Sequence, residues 1–156
     1  MKEEDIRRVV EQVLAEAGSQ PGPLLVVLHG VQAACGYIPH AAVQMVADGL
    51  NLSRAEVHGV ISFYHYFRQE PPGRHMIRVC RAEACQSMQG RALEAHASAT
   101  LGIAFTETTP DGRFSLEPVY CLGNCALSPC VMIDTDVYGR VTPERFDRLT
   151  RERGAQ

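Results

Sequence analysis

Four of the six cysteines stand in two separated pairs, Cys80-x4-Cys85 and Cys121-x3-Cys125. One run reads Cys80-Arg-Ala-Glu-Ala-Cys85, the other Cys121-Leu-Gly-Asn-Cys125-Ala-Leu-Ser-Pro129. Four thiolates delivered as two pairs by two loops form the usual cage of a [2Fe–2S] cluster. A structural zinc site uses the same residue type, but its knuckles favour two-residue gaps over the x4 and x3 gaps present here. A dithiol redox enzyme would carry a Cys-x-x-Cys pair, and the chain has none. Disulfides would need an oxidising compartment, for which the sequence gives no sign. The favoured chemistry is therefore one-electron transfer at an iron–sulfur centre, with zinc as the alternative. Gly123, inside the second pair, removes a side chain where the backbone must approach the sulfurs or turn left-handed.

Cys130 complicates the ligand set, because Cys125-x4-Cys130 repeats the spacing of the first pair and could replace Cys121. Pro129 precedes it and an apolar run follows, so Cys130 is expected to open a strand as a small buried residue and not to bind metal. Cys35 lies on an apolar helix face and reads as core. The six histidines, at 29, 40, 58, 65, 75 and 96, share no metal-ligand spacing with each other or with a cysteine. No phosphate-binding glycine loop, Ser/His/Asp order or paired-carboxylate motif is present.

The elements that must position the cysteines fall into two parts. Residues 1–72 read as four helices. Ile6, Val9, Val10, Val13 and Leu14 make one apolar stripe, which Gly18 and the Pro21-Gly22-Pro23 run bring to an end. A second helix is predicted over 24–35, stopped by Gly36, and a third from Pro39 with Val43, Val46 and Leu50 inward. Ser53-Arg-Ala-Glu56 is a capping box opening a fourth helix, expected to run into the aromatic stretch Phe63-Tyr64-His65-Tyr66-Phe67. Those aromatics read chiefly as core, with a docking surface as the other use. Glu70-Pro71-Pro72-Gly73 is a breaker cluster and marks the domain boundary. Residues 73–156 then change period. A strand over 76–80 delivers Cys80, and one helix is predicted over 87–101. A hairpin over 106–119 turns at Pro110-Asp111-Gly112. A strand at 131–133 is joined by one at 138–141, and Thr142-Pro143 caps a final helix reaching about Arg151.

Composition narrows the partners. The chain has 156 residues, 46% hydrophobic and 21% charged, enough for one core or two small ones. A net charge of −3 gives no basic footprint for nucleic acid. No apolar run nears the ~20 residues a membrane-spanning helix needs. The opening Met-Lys-Glu-Glu-Asp lacks the apolar stretch of a secretory signal, so a reducing, cytoplasmic location is expected.

The motifs Gly36-Tyr37-Ile38-Pro39, Val60-Ile61-Ser62-Phe63-Tyr64, Val79-Cys80-x4-Cys85 and Cys121-Leu122-Gly123-Asn124-Cys125-x3-Pro129 together resemble the 24 kDa-type subunit of respiratory NADH dehydrogenase. Related subunits occur in NAD-reducing hydrogenases and NAD-dependent formate dehydrogenases. The resemblance covers nearly the whole chain. It implies an α+β protein, with an N-terminal four-helix domain followed by a thioredoxin-like [2Fe–2S] ferredoxin domain whose ligands are Cys80, Cys85, Cys121 and Cys125. The run Cys80-Arg-Ala-Glu-Ala-Cys85-Gln-Ser-Met88 is most similar to the gamma subunit of soluble, molybdenum-containing, NAD-dependent formate dehydrogenases. That likeness implies a flavin subunit carrying FMN and NAD as one partner and a molybdopterin catalytic subunit oxidising formate as another. The isolated chain could also form a homodimer. The family is expected to carry a non-thiol residue at the position of Cys130. The implied role is electron relay or storage, since flavin exchanges two electrons with nicotinamide while an iron–sulfur cluster takes one at a time. The helical domain, which a free-standing ferredoxin would not need, reads as a partner-holding element.

Overall fold

The computed structural model describes residues 1–155, which divide into two compact units, one ending at Pro71 and the other beginning at Pro72. Among the described residues there are seven α-helices and one five-stranded sheet, an α+β arrangement. No helix among them is long and apolar enough to cross a membrane.

The first unit is built from α1 (Glu3–Ala17), α2 (Leu24–Cys35), α3 (His40–Leu50) and α4 (Arg54–Phe63). The apolar stripes meet in a core that includes Ile6, Val10, Val27, Leu28, Val31, Val43, Val46, Val57 and Ile61. Local chemistry sets the ends. Gly36, in the left-handed region, donates its N–H to the Gln32 carbonyl at 2.8 Å and closes α2. Pro39 is the N-cap of α3 and lies outside its first turn. At α4 the Ser53 hydroxyl accepts from the Glu56 N–H at 3.2 Å, while Glu56 accepts from the Ser53 N–H at 2.8 Å.

The aromatic stretch departs from expectation. α4 stops at Phe63, because Tyr64 turns to an extended backbone, and the chain then folds back. Gln32, buried in α2, holds the returning segment: its Nε2 donates to the Tyr66 carbonyl at 2.9 Å and its Oε1 accepts from the Arg68 N–H at 2.8 Å. Only Phe67 enters the core, and Phe63, Tyr64 and Tyr66 are exposed.

The second unit contains β1 (His75–Cys80), α5 (Glu83–Ser87), α6 (Gly90–Leu101), β2 (Glu107–Thr108), β3 (Phe114–Val119), β4 (Val131–Ile133), β5 (Asp136–Tyr138) and α7 (Pro143–Gly154). The sheet order is β2-β3-β1-β4-β5. β1 and β3 run parallel in the register His75↔Phe114 to Cys80↔Val119, and β4 lies antiparallel on the other side of β1. Ile77, Val79, Leu116, Val131 and Ile133 from the sheet pack with Leu93 of α6 and Phe146 of α7. His96 and Asp147, 2.6 Å apart, tie the two helices at their margin.

Two expectations are corrected here. The helix expected over 87–101 starts at Gly90 as α6, and a separate short helix, α5, precedes it; Gln89, with a positive φ of 63°, lies between the two. The last strand is Asp136–Tyr138 and not 138–141, while Val141 is buried just beyond it. Pairing with β4 begins at Asp136, directly across from Ile133, so the turn is tighter than the apolar pattern suggested.

Candidate metal centre

Parallel pairing of β1 with β3 brings the ends of both strands to one edge of the sheet. Cys80 is the last residue of β1 and pairs with Val119; two residues beyond Val119, the segment leaving β3 supplies Cys121. The Arg81 N–H donates to the Val119 carbonyl at 2.7 Å and carries this ladder past the strand end. On the other side of β1, the Cys80 N–H donates to the Cys130 carbonyl at 3.1 Å. Three neighbouring segments therefore deliver sulfur to one place: the end of β1 leading into α5, the loop after β3, and the residue before β4. Cys80, Cys85 and Cys130 are buried and pack together with Leu122, while Cys121 and Cys125 are exposed.

Backbone N–H groups are aimed at these sulfurs. Gly123 donates to Cys121 Sγ at 3.3 Å. The amides of Ala82 and Leu122 favour the charged form of Cys80, and the amide of Cys130 favours that of Cys85. Leu122 belongs to the second cysteine loop, so its amide links that loop to the sulfur of the first. Cys121 and Cys125 Sγ are 3.7 Å apart.

The thiols ionise differently. Burial pushes Cys80 up, and the neighbouring Cys85 adds to the shift. Burial also opposes ionisation of Cys85, but the Ser128 hydroxyl, Cys80 and the Cys130 amide outweigh it and hold this thiol below its ordinary value. Cys125 is raised by its hydrogen bond to Cys121 and by that group's charge. Cys130 is pushed up to about 12, chiefly by burial and then by Cys85. Its Sγ donates to the carbonyls of Asn124 at 3.2 Å and Leu127 at 3.4 Å. Carbonyl oxygens turned toward a sulfur would repel a thiolate.

Two glycines shape the second loop. Gly123 has φ 75°, and a Cβ there would meet no atom within 4 Å, so the backbone angle calls for glycine and space does not. Gly139 is the reverse: a Cβ would lie 2.5 Å from Leu127 Cβ, 2.8 Å from the Leu127 carbonyl oxygen and 3.0 Å from Asn124 Nδ2. It lets the residues after β5 back closely onto the 3-10 turn Cys125–Leu127.

The residues present fit a [2Fe–2S] cluster by the kind of donor they offer. Such a cluster takes two thiolates at each of two irons, with N–H donors around the sulfurs to offset the negative charge. Two cysteine pairs ringed by amides answer that description.

A sequence profile describing thioredoxin-like [2Fe–2S] ferredoxins matches residues 10–153. The chain belongs to this family. Among its relatives, the NADP-reducing hydrogenase subunit HndA of Solidesulfovibrio fructosivorans is 40% identical over 93% of this chain and 85% of its own length. An NADH-quinone oxidoreductase subunit of Pseudomonas aeruginosa is 39% identical over 76% of this chain and 72% of its own. An air-oxidised NAD+-reducing [NiFe]-hydrogenase structure is similar over 85% of this chain, with a TM-score of 0.71 and 27% identity. The match spans about a quarter of that hydrogenase chain, 23%.

The features of this ferredoxin that sequence reasoning missed are those with no periodic signal. Ser128, the Leu122 and Ala82 amides and Gly139 act through positions that only the folded strand ends bring together. Cys35 stands at the C-terminal end of α2 in the first unit, and burial raises its thiol. His29, His40, His58 and His65 are exposed, whereas His75 and His96 each pair with an aspartate.

Proposed function

We propose that Cys80, Cys85, Cys121 and Cys125 hold one [2Fe–2S] cluster, and that this chain is the electron-transfer subunit of an NAD-linked oxidoreductase complex. The observation that carries the proposal is the meeting of two cysteine pairs at the β1 and β3 ends, with backbone N–H groups turned to their sulfurs. When bound, the cluster supplies a site that accepts and releases one electron at a time. The chain's own groups do the rest. The amides of Ala82, Leu122, Gly123 and Cys130 offset sulfur charge. The buried Cys80 and Cys85 keep water from one side of the site, and the exposed Cys121 and Cys125 leave the other side open to a partner. FMN and NAD would reside on a flavoprotein partner, which hands over electrons singly.

The complex is read at two levels. Membership in the NADH dehydrogenase and NAD(P)-linked hydrogenase group is supported by the relatives' names and by coverage of most of their length. Within it, the run at 80–88 favours a molybdopterin formate dehydrogenase as the catalytic partner. Affinity purification of the tagged chain from its native cell separates these assignments: recovery of a flavin subunit with a molybdopterin subunit supports formate oxidation, and recovery of a hydrogenase subunit or of membrane subunits replaces that assignment.

The cluster itself is tested by iron and acid-labile sulfide content with electron paramagnetic resonance (EPR) of the dithionite-reduced chain. Two irons, two sulfides and one unpaired spin per chain are expected. Zinc without sulfide would overturn the proposal.

A further inference from the structure

Ser128 touches both cysteine pairs. Its Oγ donates to the carbonyl of Cys125 at 2.7 Å and lies 3.5 Å from Cys85 Sγ, and the residue is buried. Cys85 is on α5 in the first sulfur-bearing segment and Cys125 is in the second, so one hydroxyl spans the two. A hydroxyl carries a single proton and swings it about the Cβ–Oγ bond without moving its heavy atoms. With Cys85 as a thiol, the sulfur gives its S–H to Oγ, and Oγ gives its own proton to the Cys125 carbonyl. With Cys85 as a metal-bound thiolate the sulfur has no proton to give, and the hydroxyl, 3.5 Å away, can turn its own proton to it. Burial strengthens the interaction, since no water competes for the sulfur from that side.

Resting on the ligand reading above, we infer that Ser128 is a positioning residue that sets the reduction potential, by turning its hydroxyl proton from the Cys125 carbonyl to the Cys85 thiolate. A donor on a cluster sulfur stabilises the more negative, reduced form more than the oxidised form and so raises the potential. No atom is transferred; one hydrogen bond changes its acceptor.

The experiment is a redox titration of the full-length, cluster-loaded chain, followed by EPR, for native protein, Ser128→Ala and Ser128→Thr. Ser128→Ala is expected to lower the equilibrium constant for one-electron reduction about tenfold, which is about 59 mV for a single electron. Ser128→Thr, which keeps the hydroxyl, is expected to restore the native value to within about twofold. An unchanged potential in Ser128→Ala overturns the proposal. So does an equal drop in both variants, which would assign the effect to packing. Cys85→Ser is measured alongside. If its EPR spectrum is altered, the ligand reading stands and the Ser128 outcome is judged alone. If its spectrum is native, Cys85 is not a ligand and both fall together.

Discussion

The Cys80 N–H donates to the Cys130 carbonyl at 3.1 Å, so two buried thiols stand side by side where β1 ends and β4 begins. They are neighbours with opposite surroundings. Cys80 receives backbone amides from Ala82 and Leu122, whereas the Cys130 sulfur faces the carbonyls of Asn124 and Leu127. On the proposed ligand set, the polarity of the surrounding backbone, more than proximity, would separate the ligand Cys80 from its neighbour Cys130.

Cys130→Ser should therefore keep two irons and two sulfides per chain, because a hydroxyl can still donate its one proton to either carbonyl. Cys121→Ser should lose most of the cluster or change its spectrum. Iron and sulfide assays on the two variants decide the matter, and the reverse result would make Cys130 the ligand.

Gly139→Ala would set a methyl group 2.5 Å from Leu127 Cβ and 2.8 Å from its carbonyl oxygen. The turn carrying Cys125 has to shift to admit it, and overpacking of this kind costs about 1–3 kcal/mol. We expect a lower thermal midpoint and incomplete iron loading, measured on the same preparation. Gly123→Ala should cost about 1–2 kcal/mol through its left-handed backbone alone.

Acid should weaken the second unit through Asp134. Burial works against the charge of this carboxylate, but His75 Nδ1 at 2.9 Å, the Met76 N–H at 2.9 Å and Arg153 outweigh it and hold its value below the ordinary 3.8. A depressed native value means the unfolded chain binds the proton more readily. The contribution is thus complete above about pH 4 and is lost as pH falls through the native value. Urea unfolding at several pH values should show stability dropping below pH 4 in the native chain and a shallower drop in Asp134→Asn.

Gln32→Ala removes both side-chain bonds that fix the Tyr66–Arg68 backbone. The expected loss is about 1–3 kcal/mol in the first unit, from a buried amide pair left without its partner. Limited proteolysis should then cut within 64–68, where the native chain resists.

Much of this was legible in residue order because the signals were local. Ser53 and Glu56 announce a capping box within four residues, Gly36 ends a helix at its own position, and Thr142 with Pro143 opens another. The spacing of the cysteine pairs pointed to the same [2Fe–2S] family that the profile match shows. What stayed hidden depends on contacts distant in sequence. Gln32 and Arg68 are 36 residues apart, and nothing in either neighbourhood says that they meet while three aromatic rings between them in sequence stay outside. Ser128 looks like one more loop serine until Cys85, 43 residues away, is placed against it. The short helix Glu83–Ser87 and the left-handed Gln89 after it escaped because five residues are too few for a periodic signal and the backbone angle of one polar residue leaves none.

The unequal burial of the four cysteines would give a cluster held by them an inside and an outside. Cys80 and Cys85 are 3% and 1% exposed, whereas Cys121 and Cys125 stand open to solvent. Maturation would start on the outside: a donor delivering iron and sulfide meets Cys121 and Cys125 first, and the inner pair engages as the loop settles. Damage would follow the same direction, with oxidants and alkylating reagents marking the outer thiols of the metal-free chain while sparing the inner ones. A brief iodoacetamide pulse read by mass spectrometry would record that order.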